Sequence, residues 1–287
     1  MPDADFLGLV PDGDPGGFHF SVVNHLSRLD GRLYGGTAIA VSIVVAEQIS
    51  GRAPLWMTTQ FVSTAPGGAQ VSVLGEVLAP GRRTNQVRVT ATDDSGEVMF
   101  ASLGATGHHR EGGLAGTFEE APQVSPPEDS ADSGGPFVAM LRNAGVAEPP
   151  PVPSDVGFAS VIEFREPEVR SHPDGGPGRI CMWCRRRDGV PLTRAMLSFV
   201  ADMVPLSVAH GTGLVAGGVS LDNTIRFAAA EPTEWVLLDL RAHFAAGSYG
   251  HGLAHLWSDS GSLVATASQT ASMFRFDGAE SPWARRG

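Results

Sequence analysis

The stretch YGGTAIAVSIVVAEQIS, residues 34–50, decides the reading of the fold. Two glycines open it, and no charge interrupts it from Ala38 to Ala46. A helix made of these residues is apolar on every side, so it must be buried all round. The chain beyond it reads as strand. WMTTQFVS (56–63), AQVSVLGEVLA (69–79) and TNQVRVTATDD (84–94) are rich in Val, Thr and aromatic residues, and the turn DSG (94–96) leads into EVMFASLGATG (97–107). Alternation of this kind marks a meander of strands with one buried face.

The same order recurs. An apolar helix at 193–204 is followed by GGVSLDNTIRF (217–227), EWVLLDLRAHF (234–244), YGHGLAHLWSD (249–259) and SLVATASQTASMFRF (262–276). A shift of 165 residues (259 − 94) lays Asp94-Ser95-Gly96 on Asp259-Ser260-Gly261 and Val71 on Val236. So long a period means a duplicated domain rather than a solenoid. Each unit also has strands ahead of its helix: GFHFSVVN (17–24) in the first, FASVIEFRE (158–166) and GRICMWCRRR (178–187) in the second. A helix buried on all sides needs a sheet wrapped around it, which is the hotdog arrangement. The expected fold is α+β, a tandem or double hotdog. Its units span 1–107 and 158–276, with a Pro- and Gly-rich, partly disordered linker at 108–157 and a tail at 277–287. PFVAMLRNAG (136–145) is expected to form a short helix in the linker.

One residue does not fit its surroundings. In LTRAMLSFVADMVPLS (192–207), Asp202 stands among Phe199, Val200, Met203 and Val204. Pro205 disfavours helix before it, so the helix is expected to stop near Met203 or Val204, with Asp202 facing the negative end of its dipole. Burial and dipole both raise the basicity of such a carboxylate. It reads either as a general base or as a structural group paired with an Arg or capping backbone.

Composition narrows the function. Of 287 residues, 42% are hydrophobic and 18% charged, as in an ordinary globular protein. A formal net charge of −11 argues against nucleic-acid binding as the main task. All 20 basic residues are Arg. No apolar run reaches the length of a membrane span, and the first residues lack a basic n-region, so a soluble, cytoplasmic protein is expected. Cys181 and Cys184 lie three apart on a strand and point to opposite faces, and His108-His109 has no acidic partner at ligand spacing, so no metal site is expected.

The stretches FVADMVP, VSLDNTIRF, EWVLLDLRAHFAAGSYGHGLAHLWSDSGSLVATASQ and SMFRF resemble the C-terminal half of the acyl-CoA thioesterase II family of double-hotdog enzymes, and LYGGTAIAVSIVVAEQI resembles that family's opening helix. The resemblance implies hydrolysis of an acyl-CoA to a free acid and coenzyme A. It also implies no metal or redox cofactor, coenzyme A entering only as part of the substrate, and a homodimer of double units. In the family an Asp, a Thr and a Gln hold the attacking water. Asp202 matches the Asp, with AD in place of SD; Ser220 stands for the Thr; Gln269 in ATASQTAS matches the Gln. Asn223 departs from the His usual after Asp222.

The remaining candidates come from the residues themselves. Gly35 and Gly36 could open a helix N-terminus toward an oxyanion, or simply allow close packing. Arg82 and Arg83, on the turn PGRRTNQ (80–86), suit the phosphates of coenzyme A or form a solvated turn. Asp222 is a rival base. Two other functions stay open: a non-catalytic acyl-CoA binding or scaffold protein, and a hotdog enoyl-CoA hydratase or dehydratase, for which Asp14 and His19 in DPGGFH have the spacing.

Overall fold

The computed structural model describes residues 2–108, 112–149, 155–171, 178–228 and 232–276. The first unit holds α1 (Pro2–Leu7), β1 (Val10–Pro11), β2 (Gly17–Ser21), α2 (Gly35–Ser50), β3 (Ala53–Phe61), β4 (Gln70–Ala79), β5 (Thr84–Thr92) and β6 (Val98–Gly107). The intervening segment holds β7 (Gln123–Val124), β8 (Ala131–Asp132) and α3 (Pro136–Asn143). The second unit holds β9 (Ile162–Glu166), β10 (Val169–Ser171), β11 (Arg179–Arg186), α4 (Arg194–Val200), α5 (Val204–Thr212), β12 (Ala216–Phe227), β13 (Val236–Ala246), β14 (Tyr249–Ser258) and β15 (Leu263–Arg275).

Thirteen strands form one sheet in the order β1-β2-β4-β5-β6-β3-β12-β15-β14-β13-β11-β9-β8. The order from β2 to β3 is mirrored from β12 to β11, as a duplicated unit requires. The halves join where β3 pairs antiparallel with β12, Thr58 opposite Thr224, their hydroxyls 2.9 Å apart. Every residue of α2 from Gly36 to Ala46 is buried, as its uniform apolar character demands. The helix lies against β3 to β6, while α5 lies against β12 to β15. The two units meet in the interior through α2 and α4.

The second helix differs from the sequence expectation. α4 ends at Val200, a turn covers 201–203, and α5 starts at Val204 with Pro205 in its first turn. Proline is tolerated there, because first-turn N–H groups have no intrahelical partner in any case. Pro205 therefore opens a helix rather than closing one.

The intervening segment carries more structure than its composition suggested. β8 pairs with β9 at the sheet edge, β7 pairs with β10, and α3 forms where PFVAMLRNAG stands. Residues 109–111, 150–154 and 277–287 lie outside the described residues, and with them parts of the expected linker and all of the expected tail. Near β7, Ala121 and Val124 pack on an apolar cluster of Cys181, Trp183, Trp235, Leu237 and Trp257 on the outer face of the second unit's half of the sheet, and the Trp183 indole N–H donates to the Ser125 carbonyl at 2.9 Å. Cys184 points the other way, into the main core. Among the described residues no group of metal-ligating side chains is assembled, and no helix is long and apolar enough to cross a membrane.

On the same outer face Asp239, fully buried, accepts a two-pronged ion pair from Arg179 at 2.7 and 2.6 Å and a further contact from Arg241 at 2.9 Å. Removing one partner of a buried pair strands the other, so Asp239→Ala should lower stability by about 3–5 kcal/mol. A shift of the urea midpoint with unchanged slope would register it.

Candidate active site

The turn between α4 and α5 leaves backbone groups without helical partners, and side chains from three other elements meet them. A Pro at 205 can neither donate to the Ala201 carbonyl nor sit against it in a continuous helix. Asn223 on β12 offers its amide to that carbonyl at 3.5 Å. The Tyr34 hydroxyl, at the start of α2, reaches the Asp202 carbonyl at 3.4 Å. The Val204 N–H, an orphan donor at the start of α5, is accepted by Gln269 Oε1 on β15 at 3.2 Å.

That last bond orients the amide. With Oε1 committed to Val204, Nε2 must turn the other way. It donates to Asp202 Oδ1 and, at 2.7 Å, to Ser220 Oγ. Ser220 in turn donates to Asp202 Oδ1 at 3.3 Å. The three residues read from the sequence are thus within hydrogen-bonding reach of one another, although they come from a helical turn and two separate strands.

A β-bulge makes the strand contribution possible. Ser220 pairs with Ala271 but Asp222 with Thr270, so Leu221 is the extra residue and is exposed. Alternation alone would put Ser220 and Asn223 on opposite faces. The bulge resets the count and turns both toward the helix, a common device beside functional sites. Asp222 is turned away and accepts from the Thr270 N–H at 3.0 Å.

The second unit supplies these groups, but the first unit completes the site. The Gly36 N–H, in the first turn of α2, also bonds to the Asp202 carboxylate. A Cβ at Gly35 would overlap Asp202 Oδ2, and one at Gly36 would overlap the Phe199 carbonyl oxygen. The glycine pair is explained by this close approach of two helices. Asp202 therefore faces the positive end of α2, contrary to the expectation that it faces only a negative helix end. Desolvation still dominates: burial raises its pKa from 3.8 to about 7 against the lowering effects of Gln269, Ser220, Gly36 and the charge of Arg28.

Asp202, Gly35 and Ser220 open onto a cavity of about 570 Å³ between the units. Its walls are mostly apolar and include Tyr34, Phe61, Met99, Phe137, Phe158, Met203, Leu206, Phe274 and Phe276. Phe137, Tyr34 and Phe158 carried no weight in the sequence reading, since nothing in their spacing links them to Asp202. Tyr34 stacks on Phe158 with ring centroids 4.2 Å apart, and burial holds its hydroxyl protonated.

Other sequence candidates lie elsewhere. Arg82 and Arg83 stand exposed on the β4–β5 turn. Thr84 beside them pairs with Gly107, whereas the cavity wall uses Phe100 at the other end of β6, seven residues and roughly 23 Å along the strand. The structure does not bring them to the cavity. Asp14 is exposed in the turn before β2, and His19 lies on β2; neither lines the cavity. His108 is exposed and His109 is outside the described residues.

A family model described as the acyl-CoA thioesterase C-terminal domain matches residues 127–273, and one described as the acyl-CoA thioesterase N-terminal domain matches 25–106. A structure from Novosphingobium aromaticivorans, described as a thioesterase, is 31% identical over 94% of this chain and 98% of its own, with a TM-score of 0.77. A hot dog protein of unknown function from Alicyclobacillus acidocaldarius is 22% identical, covers 96% and 99%, and has a TM-score of 0.78. An acyl-CoA thioesterase II from Mycobacterium marinum, 19% identical and covering 96% and 99%, shares the fold with a TM-score of 0.72. No curated protein matches.

The two glycines should respond differently to substitution. Gly36→Ala forces α2 off α4 and should cost about 1–3 kcal/mol of stability, read by denaturant melts. Gly35→Ala meets the carboxylate itself. Its main effect should be on catalysis, with turnover down about 100-fold, the scale of an ångström-level misplacement.

Proposed function

The chain belongs to the acyl-CoA thioesterase family and is a thioester hydrolase, and we propose that a water held by Asp202, Ser220 and Gln269 attacks the thioester of an acyl-CoA. The single observation that supports this most is the orientation of Gln269. Because Val204 holds Oε1, both amide hydrogens face Ser220 and Asp202. The Ser220 hydroxyl and the amide can then position the water, and Asp202 can take its proton.

In this reading the water oxygen bonds to the thioester carbonyl carbon as Asp202 accepts a proton. Negative charge gathers on the former carbonyl oxygen. The first-turn N–H of α2 at Gly35, which has no intrahelical acceptor and lines the cavity, faces that oxygen, and the α2 dipole adds to the stabilisation. When the intermediate collapses the C–S bond breaks, and the protonated Asp202 returns its proton to the leaving sulfur. The products are a free acid and coenzyme A. A carboxyl with a pKa of about 7 suits both halves, since near neutrality it is neither a very weak base nor a very weak acid. The family likeness further supports a homodimer of double units, which would sediment at twice the chain mass.

Thiol release from acyl-CoAs tests the activity. Asp202→Asn should lower turnover about 10²–10⁴-fold. Ser220→Ala and Gln269→Ala should each cost less, and their combined loss should be less than additive because they act on one water. Near-normal turnover by Asp202→Asn would overturn the assignment.

The pH dependence carries the sign of the raised pKa. In the parent, kcat/KM should climb with pH to about 7 and then level as Asp202 ionises. Stability should run the other way. The native state holds the Asp202 proton more tightly than the unfolded chain, so this contribution is complete below about 4 and lost as pH rises through about 7. The melting temperature of Asp202→Asn relative to the parent should therefore increase from pH 4 to pH 8. A variant less stable than the parent at pH 8 would mark the carboxylate as structural.

A further inference from the structure

We infer that α3, the helix between the two units, is the wall that selects the acyl group, with Phe137 and Met140 as the specificity-determining residues. The inference rests on the hydrolysis reading for the nature of the ligand and on geometry for the residues. α3 has no counterpart in the repeated order of strands and helix, yet it lines the same cavity as Asp202 and Ser220. Phe137 and Met140 are three apart and share one side of the helix, and both line the cavity. Val138 and Leu141 are buried without lining the cavity, and α3 packs against α5.

The helix is a fixed wall. Ser133 is fully buried just before it; its hydroxyl donates to the Phe164 carbonyl at 3.3 Å and accepts from the Gly135 N–H at 3.0 Å. From within α3, Arg142 reaches back to the Ser133 carbonyl at 3.4 Å and to Glu166 at 3.6 Å. Both anchors tie the helix to β9 and the β8 edge. The charged and hydroxyl side chains of the cavity are Asp202, Ser220, Arg28, Asp30, Ser63, Thr64 and the Tyr34 hydroxyl, and the rest of the wall is mostly apolar, so an apolar acyl group has its contacts with the aromatic and Met side chains. Of these, Phe137 and Met140 are carried by α3, Phe61, Met99, Phe100 and Phe274 by strands, and Phe158 by a short 3-10 turn at Gly157–Ser160.

The test compares kcat/KM for hexanoyl-CoA and dodecanoyl-CoA in the full chain. Phe137→Ala should raise the dodecanoyl-to-hexanoyl ratio by about tenfold or more, the effect of a changed methylene fit in an apolar pocket. Phe137→Trp should lower it, and Phe137→Leu should fall between parent and Ala. Phe137 is half-buried, which favours variants that fold, and a melting curve verifies each. Ratios within about twofold of the parent in all three folded variants would overturn the inference. Calorimetric titration of the same two acyl-CoAs separates the two readings. If the parent releases no thiol from any acyl-CoA, hydrolysis fails, while a chain-length preference in binding that moves with Phe137 keeps the wall assignment and one that does not move overturns it.

Discussion

The arrangement of the site depends on a proline that a helix cannot carry in its interior. Pro205 separates α4 from α5 and leaves Ala201, Asp202 and Val204 with backbone groups to be met from outside. Burial makes an unmet group costly, so partners on other elements become necessary. Asn223, Tyr34 and Gln269 take those places. One of these, Gln269, also holds the carboxylate of Asp202 at the break, with Ser220 and the Gly36 N–H. Gln269 links the two tasks: one end of its amide satisfies α5, and the other end points at the carboxylate.

The electrostatics of Asp202 follow from that position. Two side-chain donors and one backbone donor favour its charged form, and the nearby α2 N-terminus adds a favourable dipole. Desolvation outweighs them and leaves a carboxyl poised near neutrality. A carboxylate less well served by donors would stay protonated at pH 7, and one in open water would be too weak a base. The glycine pair at α2 enters this balance directly, because any larger residue would push the helix N-terminus away from the carboxylate.

Duplication explains why the site lies where it does. The strand order is mirrored about the β3–β12 joint, so the two central helices share one interior. Only the second copy contributes the carboxylate, hydroxyl and amide, and the first contributes a helix end. The cavity between them is walled by both units and by α3. The segment from 121 to 143 thus serves both faces of the second unit: near Val124 it covers the outer tryptophan cluster, and at α3 it closes the inner cavity.

The sequence by itself determined the fold and the identity of the three polar residues. A helix without charge from Ala38 to Ala46 and apolar on every side there admits few surroundings, and a repeat at 165 residues doubles whatever those surroundings are. Resemblance then singled out Asp202, Ser220 and Gln269, and strand periodicity correctly sent Cys181 and Cys184 to opposite faces. Tertiary structure alone decided how the residues meet. The sequence reading ended a helix at Pro205 because the local rule says what proline disfavours before it, not what it begins after it. It could not foresee the bulge at Leu221, since an extra residue is defined only by the pairing partner on β15. Nor could it foresee that Gly36 of the first unit would bond to Asp202 of the second, a contact across 166 positions that depends on the sheet joining at β3 and β12. Arg82 and Arg83 looked suitable by charge, but strand length carries them to the far end of β6. Local chemistry is written in short windows of sequence, whereas a site built from five elements exists only once long-range pairing has set their distances.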